Sequence, residues 1–125
     1  MWWPFRKPLS LGEQGERIAA RHLRWRGYRI LARNVRLGAY EIDILAREGD
    51  TIVFVEVKTR QAGDAVPPED NVGPAKQNHI RRAARYYRAQ YGDPGAYYRF
   101  DVVAVTLEPR KKPAVRLFRG AFPDA

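Results

Sequence analysis

Residues 41–60 constrain this chain more than any other stretch. Two apolar runs, 42–46 and 52–57, flank the pair Gly49-Asp50. β-Branched residues dominate the second run, and a Gly/Asp pair between two such runs predicts a β-hairpin. Its second strand has Ile52 and Phe54 on the Glu56 face and Val53, Val55 and Val57 on the other. Apolar residues on both faces predict a central strand, covered on both sides. Into these strands the chain places Asp43, Glu56 and Lys58, residue types that are depleted in strand interiors and costly to bury without a partner or a metal. Glu56 and Lys58 share a face. If the neighbouring strand aligns Asp43 with them, two carboxylates and an ammonium meet, an oxygen-rich arrangement suited to a hard cation such as Mg²⁺.

The remaining elements can be read outward from the hairpin. Residues 1–9 form an aromatic, Pro-punctuated arm in which Trp2, Trp3 and Phe5 either pack on their own domain or stack on bases. Ser10 and Glu13 form a capping box that opens a helix running to about Arg26, with Gly27 as its stop. Glu13 thus has a structural role. Glu16 shares a helical stripe with Ala19, Ala20 and Leu23 and can look inward; the other reading is an exposed acid favoured by the helix dipole. Tyr28 to Val35 reads as the first strand. Gln61 to Gly73 shows no regular period and is either a substrate flap or plain disorder. Pro74 opens a second helix to Tyr91 whose buried stripe is Ile80, Ala83, Ala84, Tyr87 and Tyr91. Two more strands follow, Tyr97 to Leu107 and Ala114 to Phe118. Asp101 stands in an otherwise apolar strand with no role evident from sequence. His22 and His79 are isolated from the acidic motif.

The spacing of Asp43, Glu56 and Lys58, with twelve residues between the two acids, resembles the catalytic signature of the restriction-endonuclease-like PD-(D/E)XK nuclease superfamily. A longer text is similar to the narrower YraN-like bacterial family. It comprises Gly15-Glu16, Glu41-Ile42-Asp43, Val53 through Arg60, and Arg99-Phe100-Asp101-Val102-Val103, and it covers roughly residues 10–107. Tyr40 stands where that family usually has Gly. The resemblance implies an α/β restriction-endonuclease-like sandwich, a mixed five-stranded sheet flanked by helices. The element order, helix, three strands, helix, two strands, agrees. Residues 10–125 are then a single nuclease-like domain after the 1–9 arm.

The resemblance further implies Asp43 and Glu56 as ligands of Mg²⁺ or Mn²⁺, with the Val57 carbonyl as an extra ligand, and Lys58 as the residue that orients water. Glu16 matches the first-helix acid of Holliday-junction resolvase-like members, completing a catalytic set of Glu16, Asp43, Glu56 and Lys58. A homodimer is an expectation of that analogy alone. Against this stands a plain buried salt bridge between Lys58 and an acid, which is stability-neutral at best and explains the motif poorly.

Charge points to a polyanionic partner. The formal net charge is +9. It is uneven: residues 1–40 hold nine Lys/Arg against two acids, whereas 41–73 hold three against eight. Arg33, Arg36, Arg60, Lys76, Arg81, Arg82, Arg85 and Arg88 are the candidates for nucleic-acid contacts, with a solvated basic face as the competing reading of the second helix. With no Cys there is no disulfide framework and no thiolate site. No apolar run reaches membrane-span length, and the start lacks an extended apolar segment after its charges, so a cytoplasmic location without membrane contact is the expectation. Three functions compete: a metal-dependent endonuclease acting on DNA rather than RNA, branched or flapped DNA included; a non-catalytic DNA- or RNA-binding domain with a nuclease fold; and a basic interaction protein that docks on an acidic partner.

Overall fold

The computed structural model describes residues 7–64 and 72–124. Helix α1 (Leu11–Trp25) is followed by strands β1 (Arg29–Leu37), β2 (Tyr40–Glu48) and β3 (Thr51–Gln61). Helix α2 (Pro74–Tyr91) and strands β4 (Tyr97–Leu107) and β5 (Ala114–Phe118) complete the chain. The five strands form one mixed sheet in the order β1-β2-β3-β4-β5. All neighbours are antiparallel except β3 and β4, which run parallel from Thr51↔Tyr97 to Gln61↔Leu107 and are joined through α2. The architecture is the expected α/β sandwich, with β3 at its centre. No helix among the described residues is long and apolar enough to cross a membrane.

Each face of the sheet carries its own core. Ala19, Ala20 and Leu23 of α1 pack on Ile44, Val53, Val55, Val57, Val103 and Val105. On the opposite face Ile80, Ala83 and Ala84 of α2 pack on Leu45, Ile52, Phe54 and Phe100. The alternating valines and Ile52/Phe54 of β3 therefore feed two separate clusters, which is why that strand is apolar on both faces.

Local chemistry sets the element ends. Ser10 Oγ accepts from the Glu13 N–H at 3.1 Å while the Ser10 N–H donates to Glu13 Oε1 at 3.1 Å, closing the capping box. At the other end of α1, Gly27 adopts φ +92°, its N–H donates to the Arg24 carbonyl, and the Tyr28 N–H donates to that of Leu23. That Schellman closure occupies the Tyr28 N–H, so β1 begins at Arg29 rather than at Tyr28. Gly49, at φ +60°, turns β2 into β3 between the paired residues Glu48 and Thr51.

Three expectations are corrected. β1 continues to Leu37, because β2 pairs with it as far as Leu37↔Tyr40. Gln61 is the last residue of β3 instead of the first of a loop, because Leu107 pairs with it. Tyr91 is 64% exposed, because the last turn of α2 lies beyond the apolar cluster; its ring centroid lies 5.5 Å from that of Tyr87. The aromatic residues Trp2, Trp3 and Phe5 and most of the proposed flap, residues 65–71, lie outside the described residues.

Candidate metal and phosphate site

The β2–β3 ladder runs from Glu48↔Thr51 to Ile44↔Val55 and stops one residue short of Asp43 and Glu56. A side chain takes over there: Asp43 Oδ2 accepts from the Val57 N–H at 2.8 Å. The N–H and C=O of one strand residue project to the same edge, so the Val57 carbonyl faces the same opening between strands. Strict alternation along β2 also breaks at this point, since Ile42 joins Leu45 in the cluster beneath α2. The end of the ladder thus brings the two acids together across a gap.

Glu56 is 5% exposed and is faced by two ammonium groups, Lys58 Nζ at 3.9 Å and Lys76 Nζ at 3.6 Å from its Oε1. Burial raises the Glu56 pKa to about 7; the negative charge of Asp43 adds to the rise, and Lys76 and Lys58 oppose it. Burial also raises Asp43, whose accepted bond from Val57 and the charge of Lys76 hold it partly down. The two carboxyls lie within hydrogen-bonding reach of each other, a bond that raises Glu56 and lowers Asp43.

Glu16 reaches the same region from α1. It is half-buried, and burial raises its pKa; the Asn34 side chain, hydrogen-bonded to it, lowers the value, and the Asp43 charge raises it. Asn34 stands at φ +49°, a left-handed conformation that asparagine tolerates. The register Arg33↔Ile44 and Val35↔Ile42 sets Asn34 alongside Asp43. Close approach of α1 to β3 makes this possible: Gly15 is buried directly over Thr59, with no room for a Cβ.

The basic residues divide. Lys76 joins the acids. Arg33 is exposed and acts on Glu16 through its charge. Arg36 is exposed and paired in register with Glu41. Arg82 is exposed and donates to Tyr40 Oη at 3.0 Å, while Arg85 is exposed on the same helix. Arg60 is half-buried, its Nη1 donating to the Asp64 carbonyl at 3.1 Å. Arg81 and Arg88 do not join a free basic strip. Arg81 donates to the Pro123 carbonyl at 2.9 Å, and Arg88 pairs with Asp124 at 2.9 Å, so both clasp the C-terminal segment.

The sequence reasoning missed a second polar centre. Asp101 is fully buried on the α1 face, the side of the sheet opposite Glu56. It accepts from Tyr28 Oη at 2.7 Å, Arg99 Nε at 2.8 Å and the Gly120 N–H at 2.9 Å. Arg99 also donates to Glu48 at 2.9 Å. These bonds keep Arg99 protonated and push the Tyr28 hydroxyl well above its usual range, burial being the main cause for Tyr28. The only signal in the sequence was an acid in an apolar strand, with Arg99 two residues away on the same face.

Residues 15–105 match the uncharacterised protein family UPF0102. The chain belongs to that family. This is the grouping to which the YraN-like text pointed. A UPF0102 protein of Chlorobaculum tepidum is 50% identical over 98 residues, covering 78% of this chain and 76% of the relative. One from Geotalea uraniireducens is 46% identical, covering 90% and 89%, and one from Symbiobacterium thermophilum is 45% identical, covering 90% and 95%. A solved structure described as "Structure of EndoMS-dsDNA2 complex" aligns with 89% of this chain at 16% identity and a TM-score of 0.47. This UPF0102 chain spans about half of that chain, 51%.

Proposed function

We propose that the protein is a divalent-cation-dependent phosphodiesterase acting on DNA. The observation that carries this reading is the meeting of Asp43 and Glu56 at the end of the β2–β3 ladder, with Lys58 and Lys76 both within 4 Å of Glu56. Two buried carboxylates that repel one another suit a cation better than either suits the interior alone. Among the described residues no group of three or more His, Asp or Glu side chains converges. Two carboxylates and one carbonyl fit Mg²⁺ or Mn²⁺ all the same, since Mg²⁺ binds through one or two carboxylates and keeps several waters. Asp43, Glu56 and the Val57 carbonyl would hold the ion. Once bound, it would polarise a phosphoryl oxygen and acidify a water.

The chain's own residues do the rest. The Val57 N–H fixes the Asp43 carboxylate by bonding one of its two oxygens. Lys58 orients the attacking water and offsets charge on the phosphate as a point charge. Glu16, half-buried and within electrostatic reach of Asp43, would act on the site through its charge and through water and not as a direct ligand. Arg33, Arg36, Arg82 and Arg85 are exposed and supply backbone-phosphate contacts around it. The resemblance to junction resolvases favours branched or flapped DNA.

Incubation with branched, flapped, duplex and single-stranded DNA and with RNA in Mn²⁺ tests this reading. Cleavage that disappears in Asp43→Asn, Glu56→Gln and Lys58→Ala supports it. Nucleic-acid affinity without cleavage of any substrate selects a binding domain instead.

A further inference from the structure

We infer that Lys76 is a second lysine of the acid site, which neutralises Glu56 in the cation-free protein and turns to the substrate phosphate once a divalent cation takes the carboxylates. This rests on the cation-dependent reading and adds the order in which the site is filled.

The backbone of Lys76 is held in place and its side chain is partly exposed. Pro74 opens α2, the Gln77 N–H donates to the Gly73 carbonyl at 3.0 Å, and Gln77 Nε2 donates to the Val72 carbonyl at 2.9 Å. Ile80, one turn on, is buried in the core. From that anchored turn the lysine stem reaches across to β3. Its side chain is 41% exposed while that of Glu56 is 6% exposed, so one end of the pair is in solvent and the other is not. The separation of 3.6 Å exceeds a hydrogen bond, whose N–H···O distance ends near 3.2 Å. The contact is therefore Coulombic and releasable, suited to a flexible stem with a rotatable ammonium.

Charge counting gives the contact a purpose. Asp43 and Glu56 carry two negative charges when ionised, and Lys58 and Lys76 carry two positive charges. Without a cation the four groups are neutral as a set. Binding of a divalent cation leaves the set with two positive charges in excess, matching the two negative charges of the pentavalent state formed when hydroxide, left after water gives its proton to solvent, adds to a phosphodiester. Lys76 thus competes with the cation for Glu56, and the cation in turn frees Lys76 for phosphate. Reciprocity follows: whatever factor the cation adds to phosphate affinity by freeing Lys76, bound phosphate adds to cation affinity.

The test compares the full chain with Lys76→Met, which keeps the stem and loses the charge, and Lys76→Arg, which keeps the charge. Mn²⁺ is titrated by calorimetry in mildly alkaline buffer, and duplex oligonucleotide affinity with and without Mn²⁺ is read by stopped-flow anisotropy before turnover. Lys76→Met is expected to bind Mn²⁺ roughly tenfold more tightly than the parent and, in saturating Mn²⁺, to bind the duplex more weakly than the parent. Lys76→Arg should stay close to the parent in both. Equal or weaker Mn²⁺ binding by Lys76→Met, with the parent binding normally, overturns this inference alone. A parent that binds no Mn²⁺ overturns the cation-dependent reading and this inference with it.

Discussion

Replacing Gly15 by Ala tests the seating of α1, on which the position of Glu16 depends. A Cβ built at Gly15 lies 1.7 Å from Thr59 Oγ1, 2.7 Å from its Cβ and 2.8 Å from its Cγ2. Rotating the Thr59 side chain can move the oxygen but not the Cβ, and β3 is held between β2 and β4. The helix must therefore lift. Overpacking of this kind costs about 1–3 kcal/mol. Ala recovers at most about 1 kcal/mol through helix propensity. The net expectation is a loss of roughly 1–2 kcal/mol, a fall in Tm of about 3–8 °C for a domain of this size. Gly12, in the same helix, has nothing within 4 Å of its added Cβ and serves as the control. Gly12→Ala should be neutral or stabilise by up to about 1 kcal/mol. In a double-mutant cycle, Gly15→Ala should become neutral or favourable in a Thr59→Gly background. Urea unfolding supplies the free energies. Equal responses at Gly12 and Gly15, or additive effects with Thr59→Gly, would refute the close-approach argument.

The buried acid pair makes a pH prediction. The Glu56 pKa is raised from 4.5 to about 7 in the fold, so between those values the folded chain holds a proton that the unfolded chain has released. The metal-free protein should lose stability as pH rises through that window, by on the order of 3 kcal/mol, and Glu56→Gln should remove most of the slope in urea midpoints. Asp101→Ala leaves Arg99 and the Tyr28 hydroxyl without their buried acceptor and should cost about 3–5 kcal/mol, read by the same unfolding assay; an effect below about 1 kcal/mol would deny the network its structural role. Arg82→Ala with Arg85→Ala should weaken DNA binding and flatten its salt dependence by up to roughly two phosphate contacts, whereas Arg81→Ala with Arg88→Ala should change the slope far less, because those side chains hold Pro123 and Asp124.

The parts of the fold legible in the sequence were those governed by short-range rules. Ser10/Glu13, Gly27, Gly49 and Pro74 mark ends of elements by their own chemistry, and the two-faced apolarity of 52–57 identified the central strand. Long-range pairing was not legible. Gln61 belongs to β3 because Leu107 lies beside it, and Tyr91 is exposed because the apolar cluster beneath α2 reaches Tyr87 and not the last turn. The same division holds at the site. Asp43, Glu56 and Lys58 stand out as charges in apolar strands. Lys76 stood among the candidates for nucleic-acid contact with no sign of its place beside the acids, because its proximity to Glu56 depends on how α2 crosses the sheet. Asp101 was visible as an anomaly, but its partners Tyr28 and Gly120, and the Glu48 that shares Arg99 with it, come from three other parts of the chain. Arg81 and Arg88 kept helical spacing with Arg85, yet the fold brings the C-terminal segment against only two of the three.

The central claim is that Asp43 and Glu56 form one divalent-cation site. Calorimetric titration of Mn²⁺ into the parent chain, Asp43→Asn and Glu56→Gln addresses it directly, since each substitution keeps side-chain size and removes one negative ligand. A single Mn²⁺ per chain is expected in the parent and a large loss of affinity in both variants, with the fold intact by circular dichroism. Mn²⁺ binding of unchanged strength in the two variants would contradict it.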